Sequence, residues 1–190
     1  MSKILALDLG SSTGVARGEP GTLPADLELS TWEMPRGGGE NVGPFAASFM
    51  TQFKAALVDV SLVIFEAPIM VIPQTEPTEN NPFPKQRQQF RPDVVRRFYG
   101  MAFLIEGVCA LRQIPCFEAN IGSLKKGFAG HGKADKDAMI LAAHQRGFKP
   151  KNEHEADAAA CWWHVIALRF PKFLELYDPD FRTFMRGAKQ

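Results

Sequence analysis

The sequence predicts an α/β domain, on three observations. Two apolar, strand-like runs each stop at an acidic residue, apolar residues recur at helical spacing between and after them, and the elements follow the order strand, helix, strand, helix. At 190 residues and 45% hydrophobic composition, the chain is the size of one compact unit able to bury a substantial core. We expect a single domain over 1–190.

Ile4 to Leu9 reads as a buried strand, and Gly10, Ser11, Ser12, Thr13 and Gly14 then read as a tight turn. Leu29 to Met34 is a second strand candidate. Gly37, Gly38 and Gly39 punctuate the chain, after which Phe45, Phe49, Phe53 and Leu57 recur at the spacing of a helix that packs on a sheet. Leu62 to Phe65 is a short apolar run ending at Glu66, the pattern of a central strand, and Ala67-Pro68 turns the chain away. An exposed loop is expected at about 68–92, because Pro73 to Pro92 is rich in Pro, Asn, Gln and charge. Asp93, after Pro92, is a candidate N-cap for a helix reaching Arg112, with Phe98, Met101, Leu104, Ile105 and Val108 on its apolar side. A short strand at Pro115 to Glu118 and helices from Lys133 to Arg146 and Glu155 to Arg169 complete the pattern.

Twenty-two Lys and Arg against twenty-one Asp and Glu give a formal charge of +1, so any nucleic-acid surface must come from local segregation of charge. Cys109, Cys116 and Cys161 are an odd set in apolar surroundings, which argues against a disulfide framework and for a reducing, cytoplasmic setting. The first residues lack the apolar stretch of a signal peptide, and no later run is long enough to span a bilayer. We expect no membrane partner.

Asp8 closes an apolar run where a parallel sheet presents its ligand-binding edge. Alone, an Asp there also serves to start the Gly10 turn by bonding nearby amides. Glu66 repeats the arrangement, and a carboxylate directly after Leu-Val-Ile-Phe needs a basic partner or a cation. In His154-Glu155-Ala156-Asp157, His154 and Asp157 share a helix face, and alanines at 156, 158, 159 and 160 allow close approach to the sheet. The same acids would also suit an ordinary first helical turn. Oxygen donors from Asp8, Glu66 and Asp157 suit Mg²⁺ or Mn²⁺, and the His154 imidazole shifts preference toward Mn²⁺. Two ions roughly 4 Å apart would serve phosphodiester hydrolysis. Cys161-Trp162-Trp163-His164 has the outline of half a zinc site but no second Cys or His pair at suitable spacing, so it reads as core.

These residues resemble the RuvC family of Holliday junction resolvases. The resemblance runs from Ile4 to about Ala167. Leu7-Asp8-Leu9-Gly10 with Thr13-Gly14 resembles the family's first strand and turn, and Ile64-Phe65-Glu66 its second acidic strand. Gly130-His131-Gly132-Lys133-Ala134-Asp135-Lys136 and His154-Glu155-Ala156-Asp157-Ala158 match its later signature and its final acidic helix, with His154 where the family usually carries Asp. The resemblance implies a ribonuclease H-like fold, a mixed central β-sheet flanked by helices. It also implies a homodimer and a site of two Mg²⁺ or Mn²⁺ ions held by Asp8, Glu66, His154 and Asp157. Lys125 and Lys136 match family lysines near the DNA, where they would assist catalysis; apart from the motif, they and Lys126 and Lys133 read as a solvated face. The family often places a base-stacking aromatic three residues past the second strand acid, where this sequence has Ile69. Phe83 or Phe90 would take that role, with Lys85, Arg87 and Arg91 supplying phosphate-binding charge.

Three functions are open at this stage. The first is a structure-selective endodeoxyribonuclease acting on four-way or related branched DNA. An actin-like or sugar-kinase-like ATP-binding protein would share the Asp-x-Gly opening but needs a second lobe, for which 190 residues leave little room. A catalytically silent DNA-binding scaffold has no need of all four candidate ligands.

Overall fold

The computed structural model describes residues 2–35, 41–68 and 92–177. Three strands open the chain, β1 (Lys3–Asp8), β2 (Ser12–Gly18) and β3 (Glu28–Glu33). Helix α1 (Gly43–Ala56), strand β4 (Val60–Glu66), helix α2 (Pro92–Leu111) and strand β5 (Cys116–Ala119) follow, then helices α3 (Ile121–Ala129), α4 (Lys136–Gln145) and α5 (Glu153–Arg169). The strands form one five-stranded sheet in the order β3-β2-β1-β4-β5. The sheet is mixed: β1 runs antiparallel to β2 and parallel to β4, β2–β3 is antiparallel, and β4–β5 is parallel.

Alternation along the central strands divides the core in two. Ile4 and Ala6 of β1, Ala16 of β2 and Leu62 and Ile64 of β4 pack beneath α5, α3 and α4 with Ala156, Ala160, Trp162, Phe128 and Met139. Leu5, Leu7, Val15, Val63 and Phe65 face the other way, onto Phe45, Phe49 and Phe53 of α1 and Met101 and Ile105 of α2. Helices on both faces explain why β1 and β4 read as near-continuous apolar runs. Trp162 is fully buried, edge-on to Phe148 and Tyr177, and Cys161 and Trp163 are buried beside it, so this segment is core as its composition suggests, with His164 only half-buried.

Several boundaries differ from expectation. The turn after β1 is confined to Leu9–Ser11, and Ser12 to Gly18 is a strand. Thr13 is fully buried yet satisfied, because its Oγ1 donates to the Gly10 carbonyl at 2.8 Å, so a polar residue sits in the strand without penalty. Helix α3 lies where no helix is expected; Asn120 caps its start by accepting from the Ser123 amide, and Gly130 ends it with a left-handed φ of 86°. Helix α4 starts at Lys136 rather than Lys133, since the Asp135 carboxylate caps the Ala138 amide at 2.9 Å. Asp93 is not an N-cap; it lies in the first turn of α2 and pairs with Arg97 one turn on, at 3.4 Å. The expected loop at about 68–92 falls, from 69 to 91, outside the described residues.

Candidate active site

Asp8 and Glu66 end adjacent parallel strands whose register, Leu7 opposite Phe65, brings them to the same edge of the sheet. Asp8 is in step with Ile4 and Ala6, and Glu66 with Leu62 and Ile64, so both carboxylates belong to the face covered by α5. Ala156, Ala158, Ala159 and Ala160 are completely buried, and their small side chains let the helix lie close on the strands. Its first turns bring His154 and Asp157 over the two strand ends. His154 Nδ1 lies 3.2 Å from Asp8 Oδ2.

Burial first, then the charges of Asp8 and Asp157, pushes the Glu66 carboxyl up to about 8, against which the Lys125 ammonium pulls weakly. Asp157 is pushed up to about 6, again chiefly by burial and then by Asp8. Its Oδ1 is buried with no hydrogen-bond partner. Directly below, the fully buried Cys161 thiol is held well above its usual range by burial and by the same three carboxylates. The hydrogen bond to Asp8 raises His154 above its ordinary value, more than partial burial lowers it.

Around this cluster, Lys125 Nζ donates to the Ala134 carbonyl at 3.0 Å, and Lys136 pairs with Glu153 at 2.7 Å. Lys126 and Lys133 are exposed. Glu155 is turned away into a cap: its amide donates to Asn152 Oδ1 at 3.0 Å and its carboxylate accepts from the Lys151 amide at 2.8 Å. Lys85, Arg87, Arg91, Phe83 and Phe90 lie outside the described residues.

A divalent cation fits this cluster on charge and donor type. It would offset the burial and the mutual repulsion that raise Glu66 and Asp157, and it would give the orphaned Asp157 oxygen a partner. Among the described residues, no group of three or more His, Cys, Asp and Glu side chains is drawn together tightly enough to hold an ion as it stands. The fit therefore rests on electrostatics and ligand chemistry.

Two solved structures of RuvC from Thermus thermophilus share this architecture. One, RuvC in complex with a Holliday junction substrate, is 18% identical, covers 85% of this chain and 90% of its own, and has a TM-score of 0.57. The other is 19% identical over 87% of this chain and 95% of its own, with a TM-score of 0.55. The chain has the fold of RuvC. No family model and no curated protein matches the sequence.

Within this RuvC-like, ribonuclease H-like fold, the residues missed by sequence reasoning are those that seat the cluster. Cys161 forms its floor one helical turn past Asp157. Asn152 caps α5 so that the helix begins at Glu153, two residues before the expected Glu155, with His154 in its first turn as its shared face with Asp157 requires. The spacing Asn152 to Glu155, a capping pair three residues apart, was the available signal.

His154 leads to a prediction. A raised imidazole holds its proton to higher pH, and only the unprotonated nitrogen binds metal. At limiting metal, Mn²⁺ binding should therefore weaken on acidification, first as Glu66 regains its proton near its raised value of about 8 and further as His154 takes one, and added Mn²⁺ should partly restore it. His154→Asp should remove the histidine share of this loss and improve the binding of Mg²⁺. Superimposable pH profiles of Mn²⁺ binding for the two proteins would show that His154 is no ligand.

Proposed function

We propose that this protein is a metal-dependent, structure-selective endonuclease that resolves Holliday junctions or related branched DNA by phosphodiester hydrolysis. The observation that carries the proposal is the cluster of Asp8, Glu66, His154 and Asp157 at the ends of two parallel strands and the start of the helix across them. It lies on a fold shared with a RuvC seen with a Holliday junction substrate.

Asp8, Glu66, His154 and Asp157 would hold Mg²⁺ or Mn²⁺, two ions per site. Bound there, the ions would lower the pKa of a water and stabilise negative charge on the leaving oxygen. The chain's own contribution is to keep the carboxylates desolvated on the sheet, so that they bind cations strongly and stay fixed while the scissile phosphate changes charge. Lys125, tied to the Ala134 carbonyl, and Lys136, at the rim with Glu153, are suited to contact phosphate oxygens. Lys126 and Lys133 extend this basic side along α3 and the segment before α4. We assign phosphate contacts to Lys85, Arg87 and Arg91 and base stacking to Phe83 or Phe90.

Paired nicks in a four-way junction call for two sites related by symmetry, and we propose a homodimer. Helix α2 supports this reading: Tyr99, Phe103 and Leu111 are 42%, 74% and 87% exposed, large apolar side chains on a helix whose opposite side is core. Phe103→Glu should convert the dimer to a monomer in light scattering and uncouple the two nicks on a cruciform plasmid. An unchanged mass would remove α2 from the interface. No helix among the described residues is long and apolar enough to cross a membrane.

The function is tested by incubating the protein with labelled four-way, flap and linear duplex DNA in Mg²⁺, Mn²⁺ or EDTA. Metal-dependent incision confined to branched DNA is expected. Equal incision of linear duplex, or incision in EDTA, would contradict it.

A further inference from the structure

One row of residues runs across three strands beneath the first turn of α5. Asp8 of β1 stands opposite Gly14 of β2, and Gly14 opposite Thr31 of β3. Residues paired in this way point to the same face of a sheet, and each of these three meets the same helical turn. Asp8 Oδ2 is 3.2 Å from the His154 ring. Thr31 Oγ1 accepts from Asn152 Nδ2 at 3.0 Å, and lies 3.3 Å from Asn152 Oδ1. Between them, Gly14 lies directly against the His154 backbone. A β-carbon on Gly14 would stand 1.9 Å from the His154 carbonyl oxygen, 2.4 Å from its carbonyl carbon and 3.1 Å from its Cα.

Those neighbours are backbone atoms of a helix whose residues from Glu155 to Trp163, Asp157 apart, are buried, so they cannot swing aside as a side-chain end would. A methyl group at position 14 must lift the start of α5 from the sheet. The end of the helix that would move carries His154, and Asp157 follows one turn later. Gly18, in the same strand, gives a contrast: a β-carbon there meets first the Leu27 Cδ1 atom, 2.7 Å away at the end of a flexible side chain and remote from the cluster.

We propose that Gly14 and Thr31 are positioning residues of the active site, a two-residue seat that fixes His154 against Asp8 through the backbone and cap of α5. Gly14 acts by having no side chain, and Thr31 by anchoring the Asn152 cap. This rests on the reading of His154 and Asp8 as metal ligands, but the seat itself can be observed without metal.

Two readouts are taken on Gly14→Ala, Thr31→Val and the matched control Gly18→Ala. The first is the ¹⁵N–¹H spectrum of the His154 ring in EDTA, identified by its loss in His154→Gln. The second is Mn²⁺ affinity by electron paramagnetic resonance. Gly14→Ala should shift the ring signal in the same sense as Asp8→Asn and weaken Mn²⁺ binding about tenfold or more, as loss of a ligand-orienting partner does. Thr31→Val should do the same to a smaller extent, and Gly18→Ala should leave both readouts at wild-type values. In a His154→Ala background the Gly14→Ala effect on Mn²⁺ should shrink to about threefold or less, because the seat acts through His154.

A Gly14→Ala protein that melts earlier yet keeps the wild-type ring signal and Mn²⁺ affinity would overturn the proposal. So would an undiminished Gly14→Ala effect without His154. Should Gly14→Ala fail to fold, Thr31→Val decides by the same criteria. Absence of Mn²⁺ binding in the wild type would reject the metal reading, and the ring signal would still decide the seat.

Discussion

Asp8→Asn, Glu66→Gln and Asp157→Asn should each lower single-turnover cleavage of a four-way junction by about 10³-fold or more, equivalent to several kcal/mol of lost transition-state stabilisation. Each change replaces a carboxyl that can ionise to hold a cation with a neutral amide, in a cluster whose carboxyls already perturb one another, so the cluster's hold on cations falls without altering the fold. Junction affinity should stay within about threefold of wild type, since phosphate contacts by lysine and arginine supply it. Cleavage by quenched flow and binding by fluorescence anisotropy separate the two. Undiminished cleavage by two of the three variants would remove these carboxylates from the reaction.

Glu66→Gln should stabilise the metal-free protein, and more so at high pH. Folding raises Glu66 from 4.5 to about 8 and Asp157 from 3.8 to about 6, so the folded state binds protons more tightly than the unfolded chain. Stability from this source is fully present below about pH 4 and is lost as pH rises, first through the Asp157 value and then through that of Glu66. Each pH unit between an ordinary and a raised value corresponds to about 1.4 kcal/mol. Screening at partly exposed carboxyls reduces the total for Glu66 to the order of 2–3 kcal/mol. In EDTA the Tm advantage of Glu66→Gln should grow from near zero at pH 4.5 to about 5 °C or more at pH 8.5. Mn²⁺ should raise the wild-type Tm at pH 8.5 and have much less effect on the variant. A pH-independent difference would mean that Glu66 is not a buried, mutually repelled carboxylate.

The α/β class and the place of the two carboxylates at strand ends were legible because an apolar run that stops at an acid is a local pattern, whereas the face they share follows only from the packing. Once Ile4 and Ala6 are known to lie under a helix, Asp8 lies there too, and Glu66 follows from Leu62 and Ile64 in the same way. The alanines after His154 likewise announced a helix that lies close on a sheet. Strand β2 was not legible, since Ser11-Ser12-Thr13-Gly14 has the composition of a turn, and only the Thr13 bond to Gly10 and the pairing to β1 and β3 make most of it strand. Helix α3 was hidden by Gly122 and Gly127, which lower helix propensity; its caps at Asn120 and Gly130 compensate. Gly14 illustrates the limit most clearly. Its role depends on the His154 backbone 140 positions away in the chain, a contact that no local pattern encodes.

The central claim is that Asp8, Glu66, His154 and Asp157 together hold the divalent ions that cut DNA. Its most direct test is anomalous diffraction at the manganese edge from crystals grown with Mn²⁺ at a pH above the raised His154 value. Two manganese peaks bounded by these four side chains, both lost in Asp8→Asn, are the predicted result. A fully ordered cluster without manganese, or manganese bound elsewhere while the crystals' protein still cleaves junctions, would contradict it.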